Sequence, residues 1–440
     1  NPAKMSTSHN TGWFRIYSGD IVTFLNRKIN CSSNLLLTVW LTIGLSIPSQ
    51  STAPNTAGGD WGFYAHRKIN RMAVFTLPPE LMTLYKNRIE WVSEHAVDPD
   101  KRRYATKYEA IRHYIDIDVW GKSPFPDLPR SWTKAIASFA QLHWIGPQGD
   151  TVRLVGQKYP DDADFWIFRH RSHVDTLDGE IYLDIFRKEI LPGYYSEEWT
   201  VDPLVFDDVI EESWTDTGSI LVVDTFSQHG VLPWHLQQMY GRLVRAFSKN
   251  DSEEIMRLSA DFGHYIGDAH VPLHTTKNYN GQLTDQLGIH AFWETRIPEL
   301  FADATYDFFV GKAAYIRDEQ TYFWDMILES HRLVDSVLSI EKRLSEEIPE
   351  EKQFCYEERF DRTIRTQCTA YADAYRREMS GMVERRMRQA IHAVGSIWYS
   401  AWVDAGQPQL TDQQIELTYE YLHDSLPAGP AGWKSRKHQQ

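Results

Sequence analysis

Two histidine–carboxylate pairs stand within a 31-residue stretch: His264 with Asp268 in His264-Tyr-Ile-Gly-Asp268-Ala-His-Val-Pro-Leu-His274, and His290 with Glu294 in Gly288-Ile-His290-Ala-Phe-Trp-Glu294. Residues four apart project from one face of a helix, a spacing suited to chelating a single ion. His274 follows Pro272, which ends the first helix and lets the chain turn back toward the same cavity. All five side chains are nitrogen or oxygen donors of the kind zinc accepts. One such pair is often only a surface contact; two pairs with a third histidine between them are more specific. His270, in the same stretch, is read as lying outside the ligand set.

Upstream, Trp61-Gly-Phe-Tyr-Ala-His66 opens the folded region. The segment His95-Ala-Val-Asp98-Pro-Asp100-Lys-Arg-Arg103 precedes Arg112-His113-Tyr-Ile-Asp116-Ile-Asp118. Taken alone, Asp98 marks a helix end, and Asp116 and Asp118 are ordinary caps; a shared cavity would make them functional.

The elements that must carry these residues are mostly helical. Apolar residues recur every three or four positions after residue 60. The spacing predicts helices from Pro79 to His95, Ser131 to Leu142, Leu232 to Ala246, Ser252 to Ala269, Gln320 to Glu347, and Tyr371 to Ala405, the last ended by Gly406 and Pro408. Such a set implies an all-α fold of packed helices. Residues 145–225 differ: they are rich in Asp, Gly, Pro and aromatics, carry β-prone runs such as Ile220-Leu-Val-Val223, and read as an irregular insertion.

At 440 residues and 42% hydrophobic content, the chain can bury a sizeable core. A net charge of −14, from 46 basic and 60 acidic residues, disfavours a passive nucleic-acid-binding module, because a polyanion would be repelled unless bound cations intervene. Three cysteines, Cys31, Cys355 and Cys368, exclude a disulfide-built scaffold and a cysteine-bound zinc. Cys355 and Cys368 form either one bridge or two unpaired thiols in a helical region. The apolar run Leu35 to Ile47 follows Arg27 and Lys28 and reads as a secretory signal, too short for the roughly 20 residues of a membrane span. The organisation expected is a signal region and linker over 1–60, one domain over 61–423 with the 145–225 insertion, and a disordered tail over 424–440. The mature protein is then secreted or periplasmic, without a transmembrane anchor after processing.

The segment His264-Tyr-x-Gly-Asp268-x-x-x-Pro-x-His274, with the residues around it, resembles the zinc-dependent phospholipases C and the single-strand-specific (S-one/P-one type) nucleases. The resemblance runs from Trp61 to about Ala405, largely outside 145–225, and implies an all-α bundle with three zinc ions at the bottom of a cleft. Carried over by position, Asp98, His113, His264 and Asp268 hold one zinc, and Asp268 bridges to a second completed by His66 and the backbone of Trp61. His274, His290 and Glu294 hold the third. Two departures stand out. Trp61 follows Gly-Gly-Asp60, which is not a signal-peptidase site. In the nucleases a cationic residue, often arginine, lies three places after the aspartate matching Asp98; here that place holds Lys101, with Arg102 next.

The resemblance therefore implies a phosphodiester hydrolase in which Asp98 orients or deprotonates the attacking water and Arg102 contacts the phosphate. Glu294 and the His-Tyr-x-Gly-Asp wording favour a phospholipase. The five-residue step from Trp61 to His66 and the phrase His290-Ala-Phe-Trp-Glu294 favour a nuclease, for which Phe63, Tyr64, Trp120, Trp234 and Trp293 are available as stacking faces. The substrate is thus a phospholipid or a single-stranded nucleic acid, with no stable nucleic-acid partner. A secreted helical protein with purely structural zinc is the non-enzymatic alternative.

Overall fold

The segment that carries His264 and Asp268 forms one uninterrupted helix, Ser252–Ala269. The Asp251 carboxylate accepts the backbone N–H of Glu254 at 3.0 Å, and Glu253 and Glu254 complement the positive end of the first turn. Pro272, which lacks an N–H, lies just beyond its end. This helix packs against several others, Phe63–Ala73, Leu232–Ser248 and Met382–Asp404 among them. The last of these buries Met387, Ile391, Val394, Trp398 and Trp402, three or four residues apart on one face, toward the core.

The computed structural model describes residues 63–103, 105–158, 165–170, 173–196, 198–209, 218–359 and 362–410, all within one unit, Asn55–Gln440. The proposed signal run, Trp61 and the tail 424–440 lie outside the described residues. Among those described, no helix is long and apolar enough to cross a membrane.

Three helices expected to be continuous are broken. Pro79–Asn87 and Ile89–Glu94 are separated at Arg88. Glu319–His331 and Val334–Glu347 are separated at Arg332 and Leu333. Thr369–Glu378 and Met382–Asp404 are separated by Ser380 and Gly381, both with positive φ. In each case the apolar spacing runs on across the break, so periodicity alone conceals it.

The fold is mostly helical but not all-α. Residues 141–223 contain two antiparallel sheets rather than an irregular insertion. One orders its strands Thr151–Arg153, Gln141–Ile145, Ser219–Val223 and Thr200–Val201; the other orders Val155–Lys158, Phe165–His170 and His173–Asp178. Leu142 and Trp144 alternate inward and face Val222 and Ile220 across the register, the period-two pattern of a half-buried strand. That alternation ends the preceding helix at Phe139, before the expected Leu142. A third element, the hairpin Phe354–Arg359 with Arg362–Gln367, fills the stretch between two expected helices, and Cys355 and Cys368 are bridged across it with Cα atoms 5.0 Å apart.

Trp398 is fully buried and stacks on Tyr85 with ring centroids 4.7 Å apart. Truncation leaves a cavity at the centre of the bundle. Trp398→Ala is expected to cost about 3–5 kcal/mol, seen as a lower urea midpoint with an unchanged slope; a midpoint equal to the parent's would contradict this placement of the core.

Candidate metal centre

His264 and Asp268 lie one turn apart on the buried face of Ser252–Ala269. The first helix reaches them because the partner surface is glycine. A Cβ at Gly263 would sit 1.8 Å from Asn70 Oδ1, and one at Gly267 would sit 2.8 Å from His66 Nδ1. Asn70 fastens this contact by donating to the carbonyls of Val92 (3.2 Å) and Ala260 (3.0 Å). His66 is thereby laid flat on His264, with ring centroids 4.0 Å apart. His113 arrives on the short turn Ile111–His113, His274 on the turn Pro272–Thr275, and His290 and Glu294 on Ile289–Ala291 and the π-helical turn Phe292–Arg296.

The outer nitrogens of three imidazoles are held by backbone. His264 Nδ1–H donates to Ala96 O at 2.8 Å, His290 Nδ1–H to Tyr279 O at 3.0 Å, and His274 Nδ1–H to His113 O. Each bond selects the tautomer with a bare Nε2 lone pair facing inward. Those lone pairs face other donors: His264 Nε2 is 3.0 Å from His113 Nδ1, and His290 Nε2 is 3.2 Å from His274 Nε2. Asp268 Oδ2 lies 2.9 Å from His113 Nδ1 and 3.3 Å from His264 Nε2, while its Oδ1 lies 3.5 Å from His66 Nε2. Glu294 Oε2 lies 2.7 Å from His290 Nε2 and 3.4 Å from His274 Nε2; its Oε1 is 3.5 Å from His66 Nε2.

Four groups of three side chains have their ligand atoms within 4.8 Å of one another: His66, Asp100 and His264; His113, His264 and Asp268; His274, His290 and Glu294; and His66, Asp268 and Glu294. Shared members join them into one cluster. A tetrahedral ion with bonds of about 2.1 Å holds its donors roughly 3.4 Å apart, close to the spacings found here. The donor set and its inward lone pairs therefore fit divalent metal ions.

The electrostatics agree. Burial alone would lower the pKa of His264, but the Asp268 and Asp100 carboxylates raise it to about 9. Burial likewise opposes the charge on His274, and Asp268 and Glu294 raise it to about 9. Burial would raise both carboxyls, yet His264 and His274 hold Asp268 well below the usual range, and His274 does the same for Glu294. The cluster carries concentrated negative charge that demands a cation, either protons or metal.

The structure brings His66, His113, His264, Asp268, His274, His290 and Glu294 together. Asp98 is not among them. Its carboxylate is taken by His95 Nδ1 and by Lys101 Nζ at 2.9 Å, and it belongs to none of the four groups. Asp100 reaches the cluster instead, with Oδ1 3.8 Å from His113 Nδ1 and 3.9 Å from His264 Nε2. Asp98 and Asp100 share the helical turn Asp98–Arg102, and residues two apart on a helix face different ways. A signal for Asp100 was present: Arg103 lies three places after it and 3.5 Å from it. Arg102 instead forms a two-pronged pair with Asp261, at 3.3 and 2.8 Å, and lies 3.5 Å from Glu109. His270 is buried outside the four groups, with Nδ1 donating to Ile266 O. Among the stacking candidates, Phe63, Trp234 and Trp293 are buried, and Trp120 packs on Phe139 and Phe226.

Gly267→Ala is expected to push His66 from the cluster and weaken metal binding about tenfold with helix content unchanged; titration with zinc, followed by circular dichroism, reads both. A pH dependence follows too. Without a cation in the cluster, His264 and His274 titrate near 9 when folded and near 6.5 when unfolded. Their contribution to stability is then fully present below about pH 6.5 and lost as pH rises through about 9. Zinc must displace those protons, so its affinity rises over the same interval. Thermal unfolding from pH 6 to 9.5, with and without buffered zinc, should show the stabilisation by zinc growing with pH; a flat difference would contradict the assignment.

The chain matches no protein-family model, no curated protein and no solved structure, which leaves this cluster of donors as the ground for assigning a function.

Proposed function

We propose that the protein is a zinc-dependent phosphodiester hydrolase of the phospholipase C type, with three zinc ions in the cluster. The observation that carries this reading is the number of donors. Eight side chains, His66, Asp100, His113, His264, Asp268, His274, His290 and Glu294, share overlapping ligand groups. A closed structural site needs only four, so the purely structural alternative leaves half of them unexplained.

Zinc, when bound, supplies a water of lowered pKa and positive charge for the phosphate. The chain's own residues do the rest. Asp268 presents one oxygen toward His66 and the other toward His113 and His264, so it can join two ions. Asp100 takes the role expected of Asp98: its side chain is 21% exposed, against 2% for Asp268, so it can reach a water entering from solvent, orient it and accept its proton. His274, His290 and Glu294 form the third group and would hold an ion that supplies positive charge to the phosphate.

The burial of Phe63, Trp234 and Trp293 supports the phospholipid substrate over an unpaired base, which needs an open aromatic face, while Tyr64 and Trp120 are half-buried. The Asp100–Arg103 spacing favours the single-strand-specific nuclease as second reading. Export from the cytoplasm is supported by the Cys355–Cys368 bridge, since such bonds persist in oxidising compartments.

Zinc-loaded protein offered phosphatidylcholine and single-stranded DNA in parallel is expected to release phosphocholine. Nucleotide release would move the assignment to the nuclease. Neither product, with zinc still bound, would sink the hydrolase reading. Asp100→Asn should lower kcat about a hundred- to ten-thousand-fold, whereas Asp98→Asn should act far more weakly; the reverse order would return the role to Asp98.

A further inference from the structure

The ligands of the cluster are not equally well supported by their own elements. His264 and Asp268 sit on an 18-residue helix. His290 and Glu294 sit at the start of the helical run 289–305, which the π-helical turn Phe292–Arg296 interrupts. A π-helical turn departs from the regular pairing of the α-helix around it, and Glu294 lies inside that irregular turn. Its rigidity must come from what it packs against.

Behind it stands the disulfide-bridged hairpin. Arg296, two residues after Glu294, has a side chain only 5% exposed, and its guanidinium is fully engaged there. Nε and Nη2 donate to Gln367 O at 3.1 and 2.9 Å, Nη1 donates to Glu357 Oε2 at 3.1 Å, and Nη2 also donates to Glu357 Oε1. Gln367 immediately precedes Cys368, and Glu357 lies two residues after Cys355, so Arg296 grips both strands beside the bridge. The helix that follows Cys368 supplies the second contact: Phe292 stacks on Tyr371 and packs on Tyr375, with centroids 5.4 and 5.0 Å away. Those tyrosines are tied in turn to Glu341 and to Val337 O, at 2.8 Å each.

We propose that Arg296 is a positioning residue for the metal site of His274, His290 and Glu294, and that the Cys355–Cys368 bridge holds its anchor in place. The proposal rests on the reading of the cluster as a metal centre. A charged side chain buried this deeply is retained only with its partners in place. Opening the hairpin frees Gln367 and Glu357, releases Arg296, and lets the turn carrying Glu294 drift from His274. Glu294 also belongs to the group of His66, Asp268 and Glu294, whereas His113, His264 and Asp268 stand on other elements, so the effect falls on the ions within reach of Glu294.

The test is zinc titration of the full chain against a chromogenic chelator, with stoichiometry and the affinity of each step as readouts. The parent is expected to bind three ions. Arg296→Met should weaken the steps that use Glu294 about tenfold and leave the ion of His113, His264 and Asp268 unchanged; Arg296→Lys should recover part of the loss. Cys355→Ser with Cys368→Ser should reproduce the selective weakening, and it adds no free thiol that could bind zinc. Arg365→Met, on the same hairpin but paired with Glu350, should change nothing. The proposal is overturned if the Arg296 and cysteine variants keep all parent affinities, or if they weaken every ion alike, as a loss of general stability would. If Arg296→Met fails to fold, the cysteine variant decides alone. A parent that binds no zinc would refute the metal-centre reading itself, and this inference with it.

Discussion

Lone pairs and carboxylates that face one another in a dry pocket repel, and the arrangement of His66, Asp100, His113, His264, Asp268, His274, His290 and Glu294 depends on something positive between them. Backbone carbonyls have already taken the outer protons of His264, His274 and His290, so these rings cannot turn away without orphaning a buried partner. The bundle is shaped to keep the conflict in place. Gly263 and Gly267 give up side chains so that the first helix can lie against the helix carrying His264 and Asp268, at the cost in helix stability that glycine always brings.

The surrounding structure reads as support at three levels of stiffness. Ligands on the Ser252–Ala269 helix are held by hydrogen-bonded turns of their own. His113 and His274 come from short turns stitched together by backbone: Ile115 N–H donates to His274 O at 2.9 Å, while Asp118 accepts Thr276 Oγ1 and Lys277 N–H at 2.8 and 3.0 Å. Asp118, which looks like an ordinary cap in the sequence, thus fixes the strand of chain leaving His274. His290 and Glu294 rely on a side-chain brace from the hairpin and the helix after it.

Much of this was legible in the residues, and the failures have physical causes. The Ser252–Ala269 helix could be read from end to end because cap, apolar stripe and terminating proline agree. The ligand pairs followed from spacing on that helix and on the turn after Gly288, an αL residue that starts it. Asp98 and Asp100 flank Pro99 on one helical turn, and which of them meets a distant cavity is decided by tertiary packing rather than by local sequence. The hairpin was missed because Glu357, Glu358, Arg362 and Arg365 give it no apolar alternation; it is held by a covalent bridge and by Arg296, neither of which has a local signature. The sheets of residues 141–223 were visible only as β-prone runs such as Ile220-Leu-Val-Val223, since pairing with Gln141–Ile145 joins segments far apart in sequence.

The central claim is that these donors hold several metal ions in one shared cluster. Diffraction from crystals of the zinc-loaded protein, recorded on either side of the zinc absorption edge, tests it most directly. The account predicts anomalous peaks within the His113–His264–Asp268 group and the His274–His290–Glu294 group, with a further peak beside His66 and Asp268. A single peak enclosed by four protein ligands, or none within the cluster, would contradict it.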